Sequence, residues 1–299
     1  MSGDHAVLLN MTMNQDLLSA QTGMGAVTLR VGDLDGMIAY YRDAVTLELQ
    51  NHEGDVAVLG RRDVPVVILQ HAPELRHAAP RSAGLYHTAI LFESEPALAA
   101  ALYSVAQHAP GTFTGSADHL VSKAFYFTDP EGNGVELYWD RARTEWSWAH
   151  GQIEMATLFI DPNDFLQQNV TPELVENPRL GGASVGHVHL SVGDVATARE
   201  FYVDKLGFET TAALGNTALF VSAGGYHHHM AMNVWESRGA GRRPLALGLG
   251  RVEIVVPSLD EVGRVGERLD HFRTPTRDDG ASLTVTDPWN NEIRVVAAR

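Results

Sequence analysis

Val185-Gly186-His187-Val188-His189-Leu190-Ser191-Val192-Gly193-Asp194-Val195 reads as a short strand that runs into an acidic turn and then a helical stretch. Three other segments open alike: Met24-Gly25-Ala26-Val27-Thr28-Leu29, Leu85-Tyr86-His87-Thr88-Ala89-Ile90 and Leu249-Gly250-Arg251-Val252-Glu253-Ile254. In the first of these the match continues. Val31-Gly32-Asp33-Leu34 and Tyr40-Tyr41-Arg42-Asp43 answer Val192-Gly193-Asp194-Val195 and Phe201-Tyr202-Val203-Asp204. The other two share an ending, Asp129-Pro130-Glu131-Gly132-Asn133 against Asp287-Pro288-Trp289-Asn290-Asn291, which marks a tight turn between two strands. With Ala26, His87, His187 and Arg251 as equivalent first-strand positions, modules one and three lie 161 residues apart, and modules two and four 164 apart. The chain is a doubled double.

Each module has a strand, a helix and about three further strands, at roughly residues 24–75, 84–140, 183–236 and 247–298. The expected class is α+β: four βαβββ modules in two similar domains, 21–148 and 183–299, with curved mixed sheets. A module of about 50 residues exposes one face of a small sheet and cannot bury it alone, so modules must pair. Residues 149–182, which include Pro162, Pro172 and Pro178, read as a linker, and residues 1–20 as an N-terminal extension.

Composition narrows the chemistry. The 299 residues include 14 histidines and no cysteine, and 22 Lys+Arg against 37 Asp+Glu give a formal charge of −15. Without cysteine there are no disulfides, zinc ribbons, iron–sulfur clusters or thiol nucleophiles, so any metal must sit on histidine and carboxylate. Acidity without a Lys/Arg block excludes a phosphate-backbone footprint. No apolar run approaches the roughly 18 residues needed to span a bilayer, and Met1–Ala20 lacks a signal-peptide pattern, so a cytoplasmic location is the expectation.

Four such modules, with His at first strands and Glu on a last strand, resemble the vicinal oxygen chelate superfamily of glyoxalases, fosfomycin and bleomycin resistance proteins and extradiol dioxygenases. The resemblance covers nearly the whole chain from Gly25 onward. The stretch His119-Leu-Val-Ser-Lys-Ala-Phe125-Tyr126-Phe-Thr-Asp129-Pro130-Glu-Gly132-Asn-Gly-Val-Glu136 is similar to the extradiol ring-cleavage signature, departing from it only at Ala117, a position that carries no chemistry. Independently of family, two neutral imidazoles and one carboxylate suit non-haem Fe(II), with Mn(II) equally acceptable to the same donors. His87 and Glu136 come from module two. His187 is the expected third ligand, because it holds the His87 position in module three. Module one has Ala26 at the ligand position, and module four has Arg251 and Arg294, so only modules two and three together complete the set. The site is therefore expected to form across the sequence halves, within one chain or between subunits. His189 points to the same strand face as His187 and is a neighbour rather than a ligand.

The resemblance further implies that His119 and Tyr126 hydrogen-bond the substrate's oxygens. Tyr226-His227-His228-His229-Met230-Ala231 reads as a late strand of module three, and its His228-His229-Met230-Ala231 resembles the histidine-pair strand of extradiol enzymes, whose second histidine, here His229, is the expected acid/base. His52, His71, His77, His108, His150 and His271 carry no such coincidence and read as ordinary surface or core residues. The implied reaction is extradiol cleavage of a catechol by O₂ at Fe(II). The implied partners are a small aromatic diol and O₂, with neither nucleic acid nor membrane, and paired-module folds readily form homo-oligomers. A glyoxalase-type isomerase or thiol transferase is the alternative enzyme, and a metal-free drug-binding protein the alternative binder. The first commonly needs a second carboxylate, which neither Ala26 nor the His227–Asn233 strand offers, and the second needs no such triad.

Overall fold

The structure, a computed structural model, describes residues 17–298, so most of the expected N-terminal extension lies outside the described residues. All four modules have the expected order of strand, helix and three strands. In each, the first and last strands run parallel and the remaining pairings are antiparallel, giving mixed sheets. First strands then pair antiparallel between modules: Ala183–Ser191 with Gly84–Phe92, and Gly248–Val256 with Val27–Val31.

One eight-strand and one nine-strand sheet result. One runs Glu209–Leu214, Ala218–Ser222, Met230–Asn233, Ala183–Ser191, Gly84–Phe92, Gly134–Asp140, Ser122–Thr128, Phe113–Asp118, joining modules three and two. The other runs Thr276–Asp278, Ser282–Thr286, Glu292–Ala297, Gly248–Val256, Val27–Val31, Val64–His71, Val56–Arg61, Glu48–Glu53, joining modules four and one, with the short strand Gly23–Met24 also on Gly248–Val256. Each sequence half gives one module to each sheet. A single core of side chains such as Val27, Ile90, Val188 and Ile254 draws on all four modules.

The helices start where the sequence supplies an oxygen to cap them. Ser94 caps Glu95–His108 and Ser258 caps Leu259–His271, each accepting from a backbone N–H three residues on. Asp33 and Asp194, the acidic turns of modules one and three, cap the short helices Leu34–Ala39 and Val195–Arg199. Both helices then widen into π-helical turns, Tyr40–Ala44 and Glu200–Lys205.

Those turns carry Tyr41 and Tyr202, and the two repeated motifs meet there. The Tyr41 hydroxyl donates to Asp129 Oδ2 at 3.1 Å, and the Tyr202 hydroxyl to Asp287 Oδ2 at 3.0 Å. Each aspartate also organises its own turn. Asp129 accepts from the backbone N–H of Glu131 and Asn133, and Asp287 from those of Trp289 and Asn291. The bonds join module one to two and three to four, crossing between the sheets. Tyr41→Phe or Tyr202→Phe leaves a buried acceptor short of one donor and is expected to cost about 1–3 kcal/mol. Urea midpoints of the two variants should fall by similar amounts, and a neutral result at either would remove that clasp.

Candidate metal centre

Register assembles the site. Tyr126, Glu136, Ala89 and His187 stand side by side across four neighbouring strands, and His87 faces His189 two residues along the same face. Between Glu136 and His187 lies only the Ala89 methyl group, which leaves room for the longer side chains to meet above it. Gly134 allows the strand bearing Glu136 to lie against the strand bearing His87, because a Cβ there would stand 2.0 Å from the Tyr86 carbonyl oxygen.

His87 Nε2 and His187 Nε2 lie 2.9 and 3.2 Å from Glu136 Oε2. The candidate ligand atoms of the three residues all fall within 4.8 Å of one another, and all three side chains are buried. His87 Nε2 is near the carboxylate but outside hydrogen-bonding direction, and so is left as an orphaned buried nitrogen. Burial pushes the His187 imidazole down to about 4, which leaves it neutral with a lone pair to give. Burial alone would raise the Glu136 carboxyl, but positive charge on the His187 and His87 side holds it well below the usual range. An uncompensated buried carboxylate is costly, and a divalent cation beside Glu136 would supply further positive charge there. Two neutral imidazoles and a carboxylate fit a divalent metal ion that keeps positions open for a substrate.

A cavity of about 1180 Å³ opens above this cluster, lined by His87, Glu136, His187, His119, Tyr126 and His228 among others. His119 and Tyr126 are brought together as the spacing implied. His119 Nδ1 lies 2.6 Å from the Ala156 carbonyl oxygen, which can only accept, so Nδ1 carries the proton. His119 Nε2, 2.6 Å from Tyr126 Oη, then accepts the tyrosine hydrogen, and the lone pairs of Tyr126 remain for a substrate hydroxyl. His189 also lines the cavity, but its Nε2 is 3.0 Å from Asn233 Nδ2, the amide donor that occupies it.

The placement of His229 differs from the expectation. The strand begins only at Met230, and Tyr226–His229 is bent. His229 turns away from the cavity, where its Nδ1 accepts from the Ala223 backbone N–H at 3.2 Å and lies 3.2 Å from Ser222 Oγ. His228 takes the cavity-facing place, its ring 4.1 Å from that of His187. The signal in the sequence was Gly224-Gly225. Both residues adopt φ of +63° and +67°, left-handed values that break the strand alternation just before the histidines. His227 faces Asp140, its Nε2 2.9 Å from Oδ1.

At the corresponding place in the other sheet, Arg251 pairs with Glu292 at 3.1 Å and Arg294 with Glu253 at 3.8 Å, beside Ala26. Among the described residues, histidine-containing metal clusters occur only in the sheet of modules two and three.

The Glyoxalase/Bleomycin resistance protein/Dioxygenase superfamily profile matches residues 23–137 and 184–295. The chain belongs to this superfamily. It is 34% identical over 274 residues to the catechol-2,3-dioxygenase of Bacillus subtilis (strain 168), covering 89% of this chain and 94% of the relative, and is an enzyme of dioxygenase type. Crystal structures share the fold at low identity. One of a Bacillus subtilis subsp. subtilis str. 168 protein has a TM-score of 0.59 at 12% identity, over 92% of this chain and 84% of that one. Glyoxalase I from Zea mays has a TM-score of 0.54 at 15% identity, over 93% and 92%. No helix among the described residues is long and apolar enough to cross a membrane.

The buried histidines make stability depend on pH. His187 and His229 are pushed down to about 4 and about 3 in the folded chain, whereas an unfolded histidine titrates near 6.5. Below about pH 6.5 the unfolded state therefore binds more protons, and stability falls with pH until the folded values are reached. Urea unfolding of metal-free protein should lose about 1.4 kcal/mol per pH unit for each such histidine between pH 6 and 4. A flat profile over that window would contradict neutral burial.

Proposed function

We propose that the protein is an extradiol dioxygenase, in which His87, His187 and Glu136 hold Fe(II), with Mn(II) as the alternative ion, and an aromatic diol is opened by O₂ beside its hydroxyl pair. The observation that carries this reading is the buried two-histidine, one-carboxylate cluster lining a cavity shared with His119, Tyr126 and His228. The 34% identity to a catechol-2,3-dioxygenase over most of the chain supports the same reaction. A metal bound there would supply the chelation of both diol oxygens and the activation of O₂.

The chain's own residues handle protons and position. His228, rather than His229, stands in the cavity beside the proposed ligands and is the acid/base of this reading: it takes a proton from a substrate hydroxyl and returns one as the ring opens. Tyr126, with its hydrogen committed to His119, presents oxygen lone pairs to the other hydroxyl and fixes the diol's orientation. Leu120, Ile153, Phe220 and Trp235 supply apolar walls for the ring. The volume exceeds what a bare catechol needs, and neither lysine nor arginine is among the lining residues, so the reading favours an uncharged diol with an apolar substituent. That lining also disfavours the glyoxalase or thiol-transferase alternative, because an anionic thiol conjugate would arrive without a cation to meet it.

Protein purified anaerobically with Fe(II) is expected to hold close to one iron per chain, and to consume O₂ and form a yellow ring-fission product on mixing with a catechol. Glu136→Gln should abolish metal binding and turnover while remaining folded, and full activity in that variant would reject the ligand set. His228→Gln is expected to lower kcat about 100-fold or more. His229→Gln should mainly lower stability, and the reverse pattern would return the acid/base role to His229.

A further inference from the structure

Behind His228 lies a chain of hydrogen bonds that the reaction as described does not use. Asp140 lies at the end of the strand that carries Glu136, and both of its carboxylate oxygens are engaged. Oδ2 accepts the Tyr226 hydroxyl at 2.7 Å, and Oδ1 lies 2.9 Å from His227 Nε2. Tyr138 Oη is in turn 2.7 Å from Tyr226 Oη. His227 Nδ1 lies 2.8 Å from His228 Nδ1. Trp146 packs on Tyr226 and His227 with ring separations of 5.9 and 5.4 Å, which helps to keep water away from the chain of bonds.

The donors can be ordered from one end. An ionised carboxylate only accepts, so Tyr226 donates to Oδ2 and accepts from Tyr138, while His227 carries its proton on Nε2 toward Oδ1. With its ring proton on Nε2, His227 has a bare Nδ1. The single proton of the Nδ1–Nδ1 bond must sit on His228, and neutral His228 is left with a bare Nε2, the nitrogen not engaged by His227. We propose that Asp140 and His227 are positioning residues that fix His228 as the tautomer whose Nε2 lone pair is offered to the cavity. This rests on His228 being the proton acceptor of the proposed reaction, but the tautomer itself does not. In Asp140→Asn, with Tyr138 still donating to Tyr226, the side-chain oxygen accepts from Tyr226 and the amide NH₂ faces His227 Nε2. Both imidazoles then reverse, and His228 presents N–H instead of a lone pair. A reversal of this kind beside a catalytic histidine costs serine proteases about 10⁴-fold.

The test is long-range ¹H–¹⁵N correlation through the ring protons of the full-length ¹⁵N-labelled chain, metal-free and loaded with diamagnetic Zn(II). The His228 signals are assigned by their loss in His228→Gln. The expected result is His228 protonated at Nδ1 in the unmodified chain and at Nε2 in Asp140→Asn. Fe(II)-loaded Asp140→Asn should lose 100-fold or more in kcat, with KM and metal content within twofold of the unmodified enzyme. His228 protonated at Nε2 in the unmodified chain overturns the proposal, as does an Asp140→Asn chain that keeps the native tautomer or loses metal together with kcat. If Asp140→Asn does not fold, the unmodified spectrum alone decides. A correct tautomer in a protein that consumes no O₂ with any catechol would instead reject the dioxygenase reading and leave the positioning chain standing.

Discussion

A carboxylate almost wholly removed from water governs the architecture around it. Glu136 is 2% exposed, and its nearest polar neighbours are the imidazoles of His87 and His187. Positive charge beside it favours the ionised form, and the three groups together form a donor set that suits a divalent ion. Everything that brings them together is backbone geometry: the antiparallel pairing of two first strands, the parallel pairing of Gly84–Phe92 with Gly134–Asp140, the missing Cβ at Gly134 and the small Ala89. A shift of one residue in either register would turn a ligand to the opposite face.

The second sheet repeats this framework without its chemistry. Its first strands pair in the same manner, and Arg251, Arg294, Glu253 and Glu292 fill the equivalent region with ion pairs. The Tyr–Asp bonds remain in both halves of the sequence because they serve the repeat rather than the metal. They anchor a helix of one module to the last turn of the next, whichever sheet each belongs to. Module one is also tied to the linker through Arg61, which is fully buried. Its guanidinium donates to the carbonyls of Pro178, Leu180 and Gly181 and stacks over Phe92.

What the sequence made legible follows from what a repeat can encode. Four similar openings identified the modules, and the occupants of one equivalent position, Ala26, His87, His187 and Arg251, pointed to modules two and three, where His87, Glu136 and His187 cluster. The His119–Tyr126 spacing was legible because both residues lie on one local hairpin and bond each other directly. His228 rather than His229 faces the cavity, because the left-handed Gly224-Gly225 pair interrupts the strand just before the histidines. Arg61 could not be read at all. Three of its partners are main-chain carbonyls 117 to 120 residues away, and carbonyls leave no trace in residue identity. Asp140 and His227 were hidden for a related reason, since they are 87 residues apart and meet only after modules two and three have paired.

The formal charge of −15 is compatible with a substrate that must lose a proton. Exposed charge is screened over about 8 Å at physiological salt, so it acts weakly on a diol that is neutral when it enters. Within the cavity the balance changes, because the lining contains no lysine or arginine to stabilise an anion before it reaches the cluster. On the proposed function, negative charge on the substrate is stabilised only beside the buried cluster, where His228 would accept the proton and the bound metal would meet the oxygen left behind. In that reading, selection against pre-formed anions and activation of the neutral diol have one cause: positive charge is confined to the place where the bond is broken.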